Sequence, residues 1–575
     1  MLRGGRVLNV FSNEIVTADV LLAGRLIAAV GNELAADAET VVDVGGRHLA
    51  PGLIDGHLHL ESSLVTPQNY ARAVLPRGVT GVVCDPHELA NVAGERGVRW
   101  LLAATDELPL DVYVTVPSCV PSTSLETAGA ELSATAMERL LEHPRVVGVA
   151  EIMSFPAVVD GDGLTLSKVA MAESADLVAE GHAPGLSGPG LQAYVASGIS
   201  SDHESTTLAE GLEKLRAGLF LMVREGSLAR DLDALLPLID PRHGERIGFV
   251  TDDKLPHDLL AEGGVDQLVR RAIAGGVDPV YAVRCASYNN ALHYRLARRG
   301  ALAPGYFADV LVIDDLKRFA LSSVYKDGRL INGGGFGGAE EIASSDRRTA
   351  DEAVTANEVI HATVRLTNLT ASSFAIPARL AGPASGELKA RCIGAVDSSI
   401  LTRELLVTPK VIDGLVVADV DNDVLKLACV ERHGRNGRVG MGLVNGFGLT
   451  AGALASSVGH DHHNIMVVGA NDDDMLVACR RLAELGGGLV AVAGAEVRAE
   501  LALPLAGLLT DAPLDEVAAE LELLDDVARR LGSRLASPYM ALSFMGLPVI
   551  PELKVTDHGL IDVHNGRVVD LIVAN

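Results

Sequence analysis

The chain has 575 residues, with 75 Asp or Glu against 48 Lys or Arg, so its formal charge is −27 at pH 7. An acidic surface draws neither nucleic acid nor anionic membrane, so no partner of either kind is expected. Hydrophobic residues at 48% and charged residues at 21% mark a globular protein rather than a disordered one, and folding units of roughly 100–250 residues make two or three domains the expectation.

The N-terminal run lacks the apolar core of a signal peptide, because Asn9, Ser12, Asn13 and Glu14 interrupt it. No apolar run reaches the ~18 residues of a membrane span, and a cytoplasmic protein is expected. Six cysteines, at 84, 119, 285, 392, 429 and 479, form no C-x-x-C pair. Reduced, buried thiols are therefore expected rather than a disulfide framework or a cysteine zinc site.

In chain order, residues 5–10, 19–31 and 39–44 read as short strands joined by turns, and the same texture returns at 308–315 and 325–331. These flanks are expected to form one small composite β-sandwich domain, 1–50 with 301–335. Between them, in 51–300, eight strand-like runs alternate with helix-like ones. The strands end near Asp55-Gly-His57 and span 79–85, 111–118, 146–152, 177–182, 199–203, 219–225 and 247–253. Helices are expected at 91–105, 134–143, 207–217, 228–239 and 257–274. Eight strands alternating with helices over ~250 residues indicate an α/β fold of the (β/α)8, TIM-barrel type. Residues 333–338 are Gly-rich and read as a linker. A C-terminal α+β domain is expected over 352–575, with strands beginning at 415, 464 and 488 and helices over 472–485 and 514–531.

Barrel enzymes carry their reacting groups at the C-terminal ends of the strands, and five such ends here bear residues suited to a metal. Strand 1 ends in Asp55-Gly-His57-Leu-His59. Residues two apart share a face of a strand, so His57 and His59 point the same way as a pair of nitrogen donors. Strand 4 ends with Glu151, strand 5 with His182, strand 6 with His203 and strand 8 with Asp252. Singly, each of these reads as a satisfied polar residue. Together, at the strand termini of one barrel, they read as one site.

This pattern, Pro51-Gly-Leu-Ile-Asp-x-His-x-His followed by Glu, His, His and Asp, resembles the amidohydrolase superfamily of metal-dependent hydrolases. Five segments more specifically resemble the adenine deaminase family: 59–67, 84–91, 181–188, 201–204 and 544–553. The resemblance spans most of the chain. It implies hydrolytic deamination of adenine to hypoxanthine and ammonia in purine salvage or catabolism, with adenine as the small-molecule partner and a homo-oligomer, a dimer, as the assembly. It also implies two divalent ions, Mn2+ or Fe2+ with Zn2+ as a further candidate, held by His57, His59, Glu151, His182, His203 and Asp252. The only lysines between 56 and 300 are Lys168, Lys214 and Lys254. None ends strand 4, where several cyclic-amide hydrolases of the superfamily carry a carboxylated lysine. Glu151 stands there instead, which disfavours a dihydroorotase or hydantoinase. Cytidine-type zinc deaminases require a later Pro-Cys-x-x-Cys, which this chain lacks.

In this reading Asp252 is the general acid/base, His203 a ligand or a group polarising the attacking water, and Glu204 a proton donor to ring N1 or a plain salt-bridge residue. Asp85, His87 and Glu88 are expected to contact the purine, to orient ligands, or to stabilise the Asp85-Pro86 turn. Ser187 and Gln192 are expected at the base edge, although Gln192 stands where the family pattern has Asn. Gly459-His-Asp-His-His-Asn464 reads as a solvated loop, as a further metal-binding cluster, or as a cover over the barrel mouth that brings His460 to the substrate. The 551–557 segment reads as packing or lid. Two alternatives stay open: the same centre acting on another heterocycle, or a non-catalytic purine-binding homologue.

Overall fold

The computed structural model describes residues 1–34, 37–331, 360–379, 388–397 and 399–574. The Gly-rich 333–338 segment and the start of the expected C-terminal domain lie outside them.

Strands β1 (Leu2–Asn9), β2 (Glu14–Ala23), β3 (Leu26–Gly31), β4 (Val42–Asp43) and β5 (His48–Pro51) precede the barrel. They share one eight-stranded sheet with β14 (Val310–Asp315), β15 (Ala320–Lys326) and β16 (Arg329–Leu330), in the order β16-β15-β14-β5-β1-β2-β3 with β4 on β1. The two flanks of the barrel thus meet where β14 runs antiparallel to β5, Val310 opposite Pro51.

All eight expected barrel strands are present: β6 (Leu53–Leu58), β7 (Val79–Cys84), β8 (Asp111–Val116), β9 (Val146–Ile152), β10 (Val178–Gly181), β11 (Ser201–Asp202), β12 (Phe220–Arg224) and β13 (Ile247–Val250). They pair in parallel as β6-β7-β8-β9-β10 and β11-β12-β13. Two seams close the ring into a TIM-like barrel. The Ser200 amide donates to Ala179 O at 3.0 Å between β10 and β11. Opposite, the Asp252 backbone amide donates to His57 O at 3.0 Å, and the Asn290 side chain donates from Nδ2 to Ile54 O (2.8 Å) and Phe249 O (2.9 Å). Gly248 makes room for that bridge, since a Cβ there would stand 2.1 Å from Asn290 Oδ1.

Three expected helices are broken, each for a local reason. The 91–105 run divides into His87–Ala93 and Glu95–Ala104 at Gly94, whose φ of +64° is left-handed. The 257–274 run divides at Gly263, with φ +102°, into Pro256–Ala261 and Val265–Ala274. Of 228–239, only Leu232–Leu235 is α-helical, with a 3-10 turn at Leu236–Leu238, because Pro237 lacks the amide that would continue the helix.

In the C-terminal region the central strands Val424–Val430 and Ile465–Gly469 are fully buried within a nine-stranded sheet. Helix Asp472–Leu485 packs on its Ala453–Ser456 and Gly488–Ala493 strands, and helix Leu514–Arg530 packs on the Glu496–Ala502 edge. The 415–420 run is a strand only at Leu415–Val416. Among the described residues, no helix is long and apolar enough to cross a membrane.

Candidate active site

The strand ends converge. His57 is the last residue but one of β6 and His59 directly follows the strand, Glu151 lies in β9, His182 and His203 directly follow β10 and β11, and Asp252 stands two residues past β13. All but the partly exposed His182 are buried. Asp252 Oδ1 lies 3.1 Å from His59 Nε2 and 3.8 Å from His57 Nε2. Glu151 turns Oε1 toward His59 Nε2 at 3.6 Å, and Oε2 toward His182 Nδ1 at 2.7 Å and His203 Nε2 at 3.2 Å. One carboxylate therefore faces two nitrogen sets.

Whether these residues fit a metal is tested by His57. Its side chain is 0% exposed, and among the described residues neither ring nitrogen has a hydrogen-bond partner, although Nδ1 faces Glu180 Oε2 at 3.4 Å. Burial, then the neighbouring His203 and His59, push its pKa down to about 3, so the ring is neutral with a free lone pair. A buried polar group left unpaired is costly, and a cation at that nitrogen removes the cost. The donor atoms of His57, His59 and Asp252 all lie within 4.8 Å of one another, as do those of His57, Glu151 and His203, and those of His182, His203 and Glu204.

Outer contacts hold these donors in place. His59 Nδ1 meets Asp85 O at 3.0 Å, which turns Nε2 inward. The His182 amide donates to Tyr194 Oη at 2.9 Å. Asp202 ties two strand ends together, accepting from the Ala183 amide at 2.9 Å and the Glu204 amide at 3.2 Å. Its own counter-charge is Lys214, fully buried, with Nζ at 2.8 Å from Asp202 Oδ2 and 2.7 Å from Ala183 O. Leaving a buried carboxylate unpaired costs about 3–5 kcal/mol, so Lys214→Met is expected to lower unfolding free energy by about that amount. Urea denaturation followed by circular dichroism checks it.

Around this centre a cavity is lined by His87, Glu88, Glu204, Arg224, Asp253, His460 and Asp461, with an apolar side that includes Ile400, Met540, Phe544, Leu547 and Ile550. The 460–464 loop is buried rather than solvated, and His460 and Asp461 line the cavity. His460 Nδ1 lies 3.1 Å from Glu88 Oε1, and the His460 ring stacks on Phe544 at 4.5 Å. Asp85 contacts His87 Nδ1 at 3.1 Å and does not itself line the cavity. Ser187 and Gln192 are not brought to the site. Both are exposed and absent from the cavity wall, because helix Gly188–Ala196 buries Leu191 and Tyr194, and a residue one position from Leu191 is turned about 100° away. Their expected base contact is withdrawn.

Sequence reasoning missed Arg224, which ends β12. The available signal was a lone arginine closing the apolar run Phe220-Leu-Met-Val. Its Nη1 bonds Glu204 Oε1 and lies 3.0 Å from Asp252 Oδ2; its Nη2 reaches Glu204 Oε2 at 3.3 Å and its Nε reaches Asp231 Oδ2 at 3.1 Å. Burial pushes the Glu204 carboxyl up, but Arg224, with His182 and His203, outweighs it and holds the group well below the usual carboxylate range. A carboxylate gripped on both oxygens accepts protons poorly, which argues against Glu204 as the donor to ring N1. Arg224→Met strands three acidic groups and is expected to cost about 3–5 kcal/mol of stability. Arg224→Lys restores charge without the fork, so it is expected to recover stability but not turnover; paired denaturation and rate measurements check both.

The comparisons with known proteins agree with this geometry. Residues 48–331 match the Amidohydrolase family, which defines the class. Residues 399–567 match the adenine deaminase C-terminal domain. The chain is 44% identical over 565 residues to an adenine deaminase of Desulfatibacillum aliphaticivorans, covering 98% of this chain and 95% of that one. It is 42% identical to an adenine deaminase of Kosmotoga olearia, over 100% and 96% of the two chains. One from Brucella anthropi is 41% identical, over 98% and 96%. The chain belongs to the adenine deaminase family.

Proposed function

We propose that the protein hydrolyses the exocyclic amine of adenine, giving hypoxanthine and ammonia. The observation that carries this reading is Glu151, whose two oxygens face His59 on one side and His182 with His203 on the other, in a chain whose full-length relatives are named adenine deaminases.

The neutral, unpaired His57 imidazole supports a metal centre. His57, His59 and Asp252 would hold one divalent ion and His182 with His203 another, Glu151 reaching both. Imidazole with carboxylate suits Mn2+ or Fe2+, and Zn2+ also falls within that ligand chemistry. When bound, such ions act as Lewis acids and make water a nucleophile near neutral pH.

The chain's own residues do the rest. Asp252, whose carboxylate sits between the His57–His59 pair and Arg224, takes the proton of the attacking water and returns it to the departing amine. His203 would serve as a metal ligand or polarise that water. Glu204, gripped by Arg224, accepts a hydrogen bond from a purine N–H. His87, Glu88 and His460 ring the base, with Asp85 acting through His87. The apolar side, including Met540 and Phe544, receives the ring face and excludes water.

The same reading divides the chain into a β-sandwich unit (1–50 with 301–335), the catalytic barrel (51–300) and an α+β unit (352–575) that roofs the barrel mouth. It is of a cytoplasmic enzyme working as a homodimer. The test is ammonia release by protein reconstituted with Mn2+ or Fe2+, offered adenine, adenosine, cytosine and dihydroorotate. Release from adenine alone is expected. Release from another member of the panel in its place would favour a different heterocycle, and release from none would favour a purine-binding homologue.

A further inference from the structure

The apolar side of the cavity is built from segments distant in the chain. Ile400 precedes strand Thr402–Val407, while Met540 and Phe544 belong to helix Pro538–Phe544. One side chain joins them. Lys554, in strand Leu553–Thr556, is 0% exposed, and its Nζ donates to Ile400 O at 2.9 Å and to Phe544 O at 2.9 Å.

No carboxylate pairs with Lys554 among the described residues, and burial pushes its amine down to about 7. An amine buried without a counter-charge is costly, and an aliphatic side chain of similar length fills the same space at less cost. Packing alone therefore does not account for a lysine here. What the amine supplies is two donors to two carbonyls, one of them at the C-terminal end of a helix, where carbonyls lack intrahelical partners. Both carbonyls belong to residues whose side chains form the cavity wall. Phe544 in turn stacks on His460, which faces Glu88.

We propose that Lys554 is a positioning residue, whose amine clamps the Ile400 and Phe544 segments together over the cavity and so fixes the wall against which the heterocycle packs. The assignment of a heterocycle rests on the adenine reading above; the clamp itself does not.

The experiment compares the full-length, metal-reconstituted wild type with Lys554→Met. Losing wall geometry weakens binding of substrate and transition state alike, so KM for adenine is expected to rise about tenfold with kcat within about threefold. Backbone hydrogen exchange is expected to speed up in peptides covering 399–407 and 538–547, and to stay unchanged in helix Asp472–Leu485. An unchanged KM, or a loosening spread evenly over the chain, overturns the proposal. If the wild type releases no ammonia from adenine, the adenine reading falls and the exchange pattern still decides the clamp. Should Lys554→Met fail to fold, Lys554→Gln, which keeps a donor on a shorter stem, carries the same comparison.

Discussion

Asp252→Asn is expected to lower kcat for adenine by about 10²–10⁴-fold, the range that a positioned general acid/base contributes. The loss should lie toward the upper end, because Asp252 also stands in the His57–His59 donor set. The substitution isolates chemistry from folding. Asp252 has a φ of +59°, and Asn is one of the few residues that tolerates that left-handed conformation, whereas Ala would add strain. Its amide oxygen can still accept from Arg224, whose Nη1 lies 3.0 Å from Asp252 Oδ2. What disappears is the site that takes and returns a proton. Steady-state kinetics are to be read beside metal content and melting temperature. A variant with wild-type metal content and kcat within about tenfold would remove Asp252 from the proton-transfer role.

Glu151→Gln is expected to show the second large effect, on the metals first and on turnover as a consequence. An amide replaces one oxygen with an NH2 group that cannot ligate, so either the His59 side or the His182–His203 side loses its carboxylate donor. Disturbing a group that merely orients a ligand already costs about 10–100-fold in metal affinity or activity. A carboxylate reaching both sets is therefore expected to cost at least about 100-fold in kcat/KM. Its charge is secure in the parent protein: burial pushes the Glu151 carboxyl up, and His182 and His203 more than reverse that. Metal analysis after desalting, with activity titrated against added Mn2+, separates weakened retention from weakened chemistry. Full retention of metal with kcat/KM near the wild-type value would falsify the bridging assignment.

Much of this site was legible before any coordinates. His57 and His59 share a face because strand side chains alternate with a period of two, a local property that any strand through 53–58 imposes. Glu151, His182, His203 and Asp252 stand out in the same way, as polar residues at the ends of apolar runs. Arg224 fits that description too. An arginine at a strand end gains meaning only from its partners, Glu204, Asp252 and Asp231, which the folded chain alone brings to it.

Local pattern, then, determined the barrel strands and which of their ends carry donors, because alternation, apolar runs and strand termini depend on near neighbours in the chain. Tertiary structure alone decided which ends face one another and what covers them. The barrel closes through a pairing of residues 57 and 252, and its cavity is lined in part by residues 400, 460 and 544, contacts across hundreds of positions that no short-range rule encodes. The outward turn of Gln192 and the buried clamp of Lys554 belong to the same category, since each is the outcome of packing between segments that meet only when the chain has folded.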